Sequence, residues 1–264
     1  MRILFIGDIF GRPGRTMVKQ HLGEVVAQNG VDLIIANGEN AAGGFGITPQ
    51  IAEELFEQGI SVITTGNHVW DKREIIDYMQ QATNGNPARR LIRPANYPEG
   101  TPGHGFYQGK TRAGVSYAVI NLQGRVFLPS NDDPFRIADH LLQQITAKVI
   151  LVDVHAEATS EKVAMGWYLD GRVTAVLGTH THVPTADTRV LPKGTAFQTD
   201  VGMTGPYDSI IGVQKELVIQ RFLTNLPARW EAATGDPRFC GVVIDCDETT
   251  GKANSIDRIM IGES

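Results

Sequence analysis

An α/β layer fold is what this sequence predicts, and three observations predict it. Short apolar, β-branched runs recur along the first two-thirds of the 264 residues and read as buried strands. Segments with apolar residues at helical spacing separate the early runs, giving β-α-β-α-β-α over residues 1–80. Five of the runs end on Asp, Glu, Asn or His, and in α/β sheets functional groups collect beyond the carboxyl ends of strands. One such ending means little, since chains must turn somewhere. Five of them look like one site assembled from distant sequence.

The elements follow in order. Ile3-Leu4-Phe5-Ile6-Gly7 leads to Asp8, and then Met17, Val18, Leu22, Val25 and Val26 fall on one helical face. Residues 33–38 form a second apolar run, which leads to Glu39 and Asn40. Thr48 with Pro49 marks a helix start, because Thr caps free amides and Pro tolerates the first turn. Ile51, Leu55 and Phe56 supply its buried face, and Gly59 its stop. Residues 61–66 lead to Asn67 and His68. Asp71 with Glu74 fits a capping-box start for a helix carrying Ile75, Ile76 and Met79. Residues 84–114, rich in Pro, Gly and Arg, predict irregular loops, and residues 115–120 a strand. Asp133-Pro134 opens a helix with Ile137, Leu141, Leu142 and Ile145 on one face. Residues 149–154 lead to His155, and residues 174–179 to His180 and His182. Beyond His182 shorter strands are expected, with a turn over residues 247–251. The pattern predicts one domain, residues 1–264, with a second sheet drawn largely from the C-terminal half.

Composition narrows the class. Apolar residues make up 42% and charged residues 20%, as in ordinary soluble domains. A net charge of −5 argues against an extended nucleic-acid face. No stretch reaches the ~20 apolar residues of a membrane span, and Gly7 and Asp8 break the first apolar run too early for a signal peptide. Cys240 and Cys246 match neither a zinc knuckle nor a redox pair and read as core thiols. A cytoplasmic protein is expected.

The candidate metal ligands are Asp8, Glu39, Asn40, Asn67, His155, His180 and His182. Mixed carboxylate, amide and imidazole donors suit manganese, iron, zinc or cobalt better than calcium. Seven ligands are too many for one catalytic metal with an open position. Shared between two metals by a bridging carboxylate they become reasonable, and such a pair, about 3.5–4 Å apart, would activate a bridging hydroxide against a phosphate ester. His180-Thr181-His182 is the strongest fragment, because alternate residues of an extended segment bring two imidazoles to one site. Gly7, Gly11 and Gly14 match no dinucleotide fingerprint, and no phosphate loop exists. Gly43-Gly44-Phe45-Gly46 reads as a flexible connector, and Arg12, Arg15 and Arg93 as solvated surface.

These segments give the chain a resemblance to the calcineurin-like metallophosphoesterases. The matching stretches are Gly7-Asp8-Ile9-Phe10, Gly38-Glu39-Asn40, Gly66-Asn67-His68, Val154-His155-Ala156-Glu157 and Gly178-Thr179-His180-Thr181-His182. The chain departs from the general pattern at four places. Phe10 stands where most members carry a metal-binding His, and Glu39 replaces the usual bridging Asp. Val69 replaces an acid, and Thr179 separates Gly178 from His180. With residues 7–14, 36–44, 66–71 and 199–205, these departures resemble the YmdB-like branch over nearly the whole chain.

The resemblance implies a four-layer α/β/β/α sandwich with two mixed sheets. It implies Asp8, Glu39, Asn40 and His182 around one metal, and Glu39, Asn67, His155 and His180 around the other, with Glu39 bridging. Asn40 then takes over the coordination lost at Phe10, and His68 matches the general acid. Two ions, iron and/or manganese, a homo-oligomer and a phosphodiesterase acting on 2′,3′-cyclic nucleotides are likewise implied. The rival readings are a regulatory nucleotide- or protein-binding protein with little turnover, and a phosphomonoesterase or RNA phosphodiesterase.

Overall fold

The computed structural model describes residues 1–83 and 85–262. Its first sheet is built from β1 (Arg2–Ile6), β2 (Asp8–Ile9), β3 (Leu33–Asn37), β4 (Val62–Thr64), β5 (Leu91–Ile92), and three later strands, described below. The second sheet uses β6 (Phe106–Lys110), β7 (Ser116–Gln123), β8 (Val149–His155), β9 (Ala175–Thr179), β10 (Arg189–Val190) and β11 (Ala196–Gln198). Then β12 (Met203–Pro206), β13 (Pro237–Cys246) and β14 (Ala253–Gly262) return to the first sheet. Its order is β2-β12-β13-β1-β3-β4-β5, with β14 on β13. The second runs β10-β11-β9-β8-β7-β6. Both are mixed: β1, β3, β4 and β5 are parallel while β13 runs antiparallel to β1, and β7, β8, β9 and β11 are parallel with β6 antiparallel to β7.

Strand alternation produces the layers. In β1, Leu4 and Ile6 pack with Met17, Val18 and Leu22 of helix α1 (Gly11–Asn29), while Ile3 and Phe5 face the other sheet. The same outer layer holds α2 (Pro49–Glu57) and α3 (Glu74–Gln80), through Leu55 and Ile75. Between the sheets, Ile35 and Val62 share a cluster with Val119, Leu151 and Leu177. On the far side Ile120, Val152 and Val176 pack against α4 (Pro134–Gln144) and α5 (Thr159–Leu169) through Ala138, Leu141, Met165 and Leu169. Period-2 patterning thus gives three apolar seams and four layers, α/β/β/α.

Local chemistry sets the ends. Thr48 Oγ1 accepts from the Ile51 amide at 3.2 Å, and Asp133 caps α4 through the Phe135 amide at 2.9 Å. At 247–251 the Asp247 side chain and carbonyl hold the expected turn. Three expectations are corrected. Asp71 does not cap α3, whose start at Glu74 carries no side-chain cap bond. Residues 85–114 are not all loop: they hold a 3₁₀ turn (Pro87–Arg90), β5 and β6, because Leu91 and Ile92 are fully buried; Asn84 lies outside the described residues. The second sheet comes from residues 106–198, and of the strands beyond His182 only β10, β11 and β12 are short, whereas β13 and β14 are ten residues each and join the first sheet.

Cys240 and Cys246 are buried free thiols, and burial pushes both up to about 11. Among the described residues no helix is long and apolar enough to cross a membrane.

Candidate metal centre

All five strand ends converge. Asp8 sits in β2, Glu39 and Asn40 follow β3, Asn67 and His68 follow β4, His155 ends β8, and His180 and His182 follow β9. Asp8, Glu39, Asn40, His155 and His182 are buried, and Asn67, His68 and His180 half-buried. Five of them, Glu39, Asn40, His68, His180 and His182, line a cavity of about 850 Å³.

One group surrounds His155 Nε2. Glu39 Oε1 lies 3.0 Å from it, Asn67 Oδ1 3.0 Å and His180 Nδ1 3.1 Å. A single proton cannot bond linearly to three acceptors, whereas one cation can hold all four groups. The second group meets the first at Glu39. Asn40 Nδ2 donates to Glu39 Oε1 at 3.0 Å and lies 3.1 Å from His182 Nε2, and Asp8 Oδ1 is 3.8 Å from the same nitrogen. Asp8 Oδ1 and Asn40 Oδ1 are buried oxygens with no hydrogen-bond donor, an arrangement that costs ~1–3 kcal/mol per group unless something electropositive meets it.

Electrostatics point the same way. Burial pushes Asp8 well above the usual carboxylate range, and the nearby Asp200 and Glu39 add to it, while His155 opposes. Burial would also raise Glu39, but the His155 charge and hydrogen bond, with His68 and His180, bring it down to about 2. His155 is the reverse: burial disfavours its cation, yet Glu39, Asp8 and Asp153 raise it to about 9. Burial and the His155 charge depress His180 to about 3, and burial also lowers His182. Positive charge is what these buried carboxylates lack, and a divalent metal would supply it.

Each imidazole is oriented from behind. Thr179 Oγ1 donates to Asp153 at 2.7 Å, so it accepts from His155 Nδ1 at 2.9 Å and leaves the Nε2 lone pair at the cluster. His182 Nδ1 donates to the Ile211 carbonyl at 2.8 Å, freeing Nε2. His180 Nε2 lies 3.2 Å from Glu157, so its free lone pair is on Nδ1, facing His155. Carboxylate or carbonyl partners of this kind fix ligand tautomers.

The backbone is shaped to match. His180 and His182 adopt φ of 97° and 66°, left-handed values that cost a non-glycine residue ~1–2 kcal/mol each. Asp200 holds this segment: its Oδ2 accepts from Thr181 N at 3.0 Å, Thr181 Oγ1 at 2.8 Å and buried Lys162 Nζ at 2.7 Å. Its Oδ1 accepts from Gly202 N at 2.9 Å, and the Gly202 carbonyl accepts from the Asp8 amide at 3.0 Å. Gly66 has no alternative, since a Cβ there would come 2.2 Å from the His155 ring.

His68 stands at the rim. Its Nδ1 is 2.8 Å from Asp71 Oδ2, and its amide donates to Glu39 Oε2 at 3.2 Å. A carboxylate only accepts, so Nδ1 carries hydrogen and Nε2 is the nitrogen left to face a substrate. Phe10 supplies no ligand. Its ring packs 5.5 Å from His182 at 76°, and a Cβ on Gly44 or Gly212 would come within 2.8 or 2.7 Å of it. Phe10 is therefore the apolar post between two loops that line the cavity.

The arrangement gives site roles to residues that the sequence reading left without one: Asp71, Asp153, Thr179, Lys162 and Asp200. Asp153 carried a readable signal, an acid inside an apolar strand, which must find partners. Two further expectations change. Residues 43–46 form a fixed turn, not a flexible connector, with the Ala42 amide donating to the Gly46 carbonyl at 2.9 Å and the Gly44 amide to Asn40 at 3.1 Å. Arg93 is buried, giving its guanidinium to the Pro94, Thr101 and Pro102 carbonyls, and Arg15 reaches the Ala41 carbonyl; only Arg12 is exposed as expected.

Comparison with known proteins agrees over the full length. Residues 4–259 match the family described as YmdB-like protein. The chain is 54% identical over 265 residues to a 2′,3′-cyclic-nucleotide 2′-phosphodiesterase of Bacillus subtilis (strain 168), covering 100% of this chain and 98% of the relative. A crystal structure of a hypothetical protein from Thermus thermophilus superposes with a TM-score of 0.92 at 45% identity, covering all of both chains. A phosphatase structure from Mycoplasma pneumoniae gives 0.91 at 34% identity, covering 99% of this chain and 93% of that one.

Proposed function

The chain belongs to the YmdB-like family, and from that premise we propose that it is a metal-dependent phosphodiesterase hydrolysing 2′,3′-cyclic nucleotides at the 2′ bond, with residues 1–264 acting as one domain. The observation that carries the reading is the gathering of six ligand-type side chains around Glu39, which lines the cavity. Asp8, Glu39, Asn40 and His182 would hold one metal, and Glu39, Asn67, His155 and His180 the other. For that role the Asn40 amide turns so that its unpaired Oδ1 takes the place of Nδ2. A bound metal pair supplies Lewis acidity and a water ionised at neutral pH.

The chain's own residues do the rest. Thr179, Glu157 and the Ile211 carbonyl keep three imidazole lone pairs turned toward the ligand cluster, and Asp200 holds His180 and His182 in place. In the hydrolysis the oxygen of water bonds to phosphorus and the phosphorus–O2′ bond breaks. The departing O2′ takes the Nε2 proton of His68 in its imidazolium form, which leaves neutral imidazole with its Nδ1 hydrogen on Asp71. A 3′-phosphate remains.

The test is a panel of 2′,3′- and 3′,5′-cyclic nucleotides, mononucleotides and short RNA, with product identification. We expect 2′,3′-cyclic nucleotides to be preferred; a preference for monoesters would refute the reading. His68→Ala should keep its metal and lose ~10²–10⁴-fold in turnover. The same reading includes iron and/or manganese as the metals, a cytoplasmic location and a homo-oligomer. For the last, Phe222 and Leu223 of α6 (Lys215–Thr224), 85% and 80% exposed, offer apolar surface. Metal analysis of purified protein tests the first of these, and light scattering the last.

A further inference from the structure

The wall above the metal centre is unlike its floor. Hydrolysis at phosphorus calls for charge and hydrogen bonds, and apolar rings offer a phosphate nothing. Yet Phe45, Val183, Ile211, Val213 and Trp230 line the same cavity as His68 and His180. Val183 is 57%, Ile211 45% and Trp230 37% exposed, so three large apolar side chains face solvent around one opening. Solvent-facing apolar surface concentrated at a cavity marks a binding surface.

The rings are arranged in sequence. His68 lies 5.1 Å from Phe45 at 67°, and Phe45 lies 6.4 Å from Trp230 at 74°. An aromatic wall therefore runs outward from the candidate acid, with aliphatic Val183 and Ile211 also on the cavity lining. Neither ring is loosely held. Gly43, Gly44 and Gly46 adopt φ of 73°, 101° and 76°, and Gly44 is packed on Phe10, so the turn fixes Phe45 in the cleft. Trp230 carries the Arg221 guanidinium 5.5 Å from its ring centre.

We propose that Phe45 and Trp230 form the nucleobase subsite of this enzyme, stacking the base while the cyclic phosphate sits over the ligand cluster. The inference rests on the cyclic-nucleotide reading above and extends it to the part of the substrate that does not react. The base of a cyclic nucleotide must lie within one nucleoside of the leaving oxygen, and the wall begins at the residue assigned to protonate that oxygen. Stacking is tolerant of base identity because every base has a π face, so discrimination among bases should be weak.

The experiment compares 2′,3′-cyclic AMP with a base-free diester, methyl riboside 2,3-cyclic phosphate, as a ratio of kcat/KM. Wild type should favour the nucleotide. Phe45→Ala and Trp230→Ala should each lower that ratio roughly 5- to 100-fold, the range for loss of one base–aromatic stack. Trp230→Phe should recover most of it. A wild-type ratio near one, or a ratio moved less than about twofold by both alanine variants, would overturn the subsite. Adenosine, which carries no phosphate, gives a readout free of turnover: it should quench tryptophan fluorescence in wild type and lose most of that quenching in Trp230→Phe. If wild type hydrolyses neither diester, the proposed activity fails, while the adenosine titration still decides the base site. No quenching by adenosine in the wild type counts against the subsite whatever the activity.

Discussion

The two sheets contribute unlike halves of the proposed centre. The first supplies oxygen donors: Asp8, Glu39, Asn40 and Asn67. The second supplies nitrogen donors: His155, His180 and His182. The oxygen half is short of partners, with Asp8 Oδ1 and Asn40 Oδ1 unpaired and Asp8 pushed up by burial. The nitrogen half is supported from behind, each imidazole having an acceptor on the nitrogen that faces away. Charge is what the first half lacks, and orientation is what the second half has been given. Substitutions on the two sides should therefore fail differently.

The largest effect is expected where the halves meet. Glu39→Gln keeps the shape but removes the carboxylate common to both groups, so bound metal should fall and turnover should drop by more than ~10³-fold. Plasma emission analysis beside initial rates checks this, and a fully active, metal-replete variant would erase the contrast between the sheets. Next comes the orienting half. Asp153→Asn leaves every ligand in place, yet its amide can donate to Thr179 and reverse the hydroxyl, turning the His155 tautomer. Metal affinity should weaken ~10–100-fold, read by competition with a chromophoric chelator. Asp71→Asn should act on turnover alone, by about tenfold, with metal content held, since the Asp71 carboxylate bonds His68 and none of the ligands.

The smallest effect belongs to the metal-free protein. His155 is raised from 6.5 to about 9, so its contribution to stability is complete below pH 6.5 and is lost as pH rises through 9. Glu39, lowered from 4.5 to about 2, contributes above pH 4.5 and loses that only as pH falls through 2. Calorimetry in chelator should find a melting temperature that falls on the order of 5 °C from pH 6.5 to 9. Metal-loaded protein should lack that slope, because bound metal replaces the proton.

Much of this was legible in sequence because it is local. Strand runs, the Thr48 and Asp133 caps and the seven ligand-type residues all announce themselves within a few positions. What was illegible depends on the folded conformation of a segment or on distant pairing. Asp71, three residues before Glu74, has the spacing of a helix cap, and only the fold places it against His68 instead. Thr179 looked like an interruption between Gly178 and His180, whereas its hydroxyl links Asp153 to His155 across two strands. The turn of the β13–β14 hairpin was legible, but its place in the first sheet was not, because nothing local says which sheet receives it.

That hairpin has a consequence for the life of the chain. β13 lies beside β1 with Ile3 opposite Ile244, and the Met1 amino group donates to the Cys246 carbonyl at 2.9 Å. Strand β1 thus waits for a partner made some 240 residues later. On the ribosome, β1 must remain without its antiparallel neighbour until residue 246 has emerged, and pairing across such a separation is slow. Asp8, held through β12 in the same late-arriving group of strands, is among the last ligands to settle. A nascent chain should therefore be a poor catcher of metal, and the centre should mature only after synthesis has passed the hairpin.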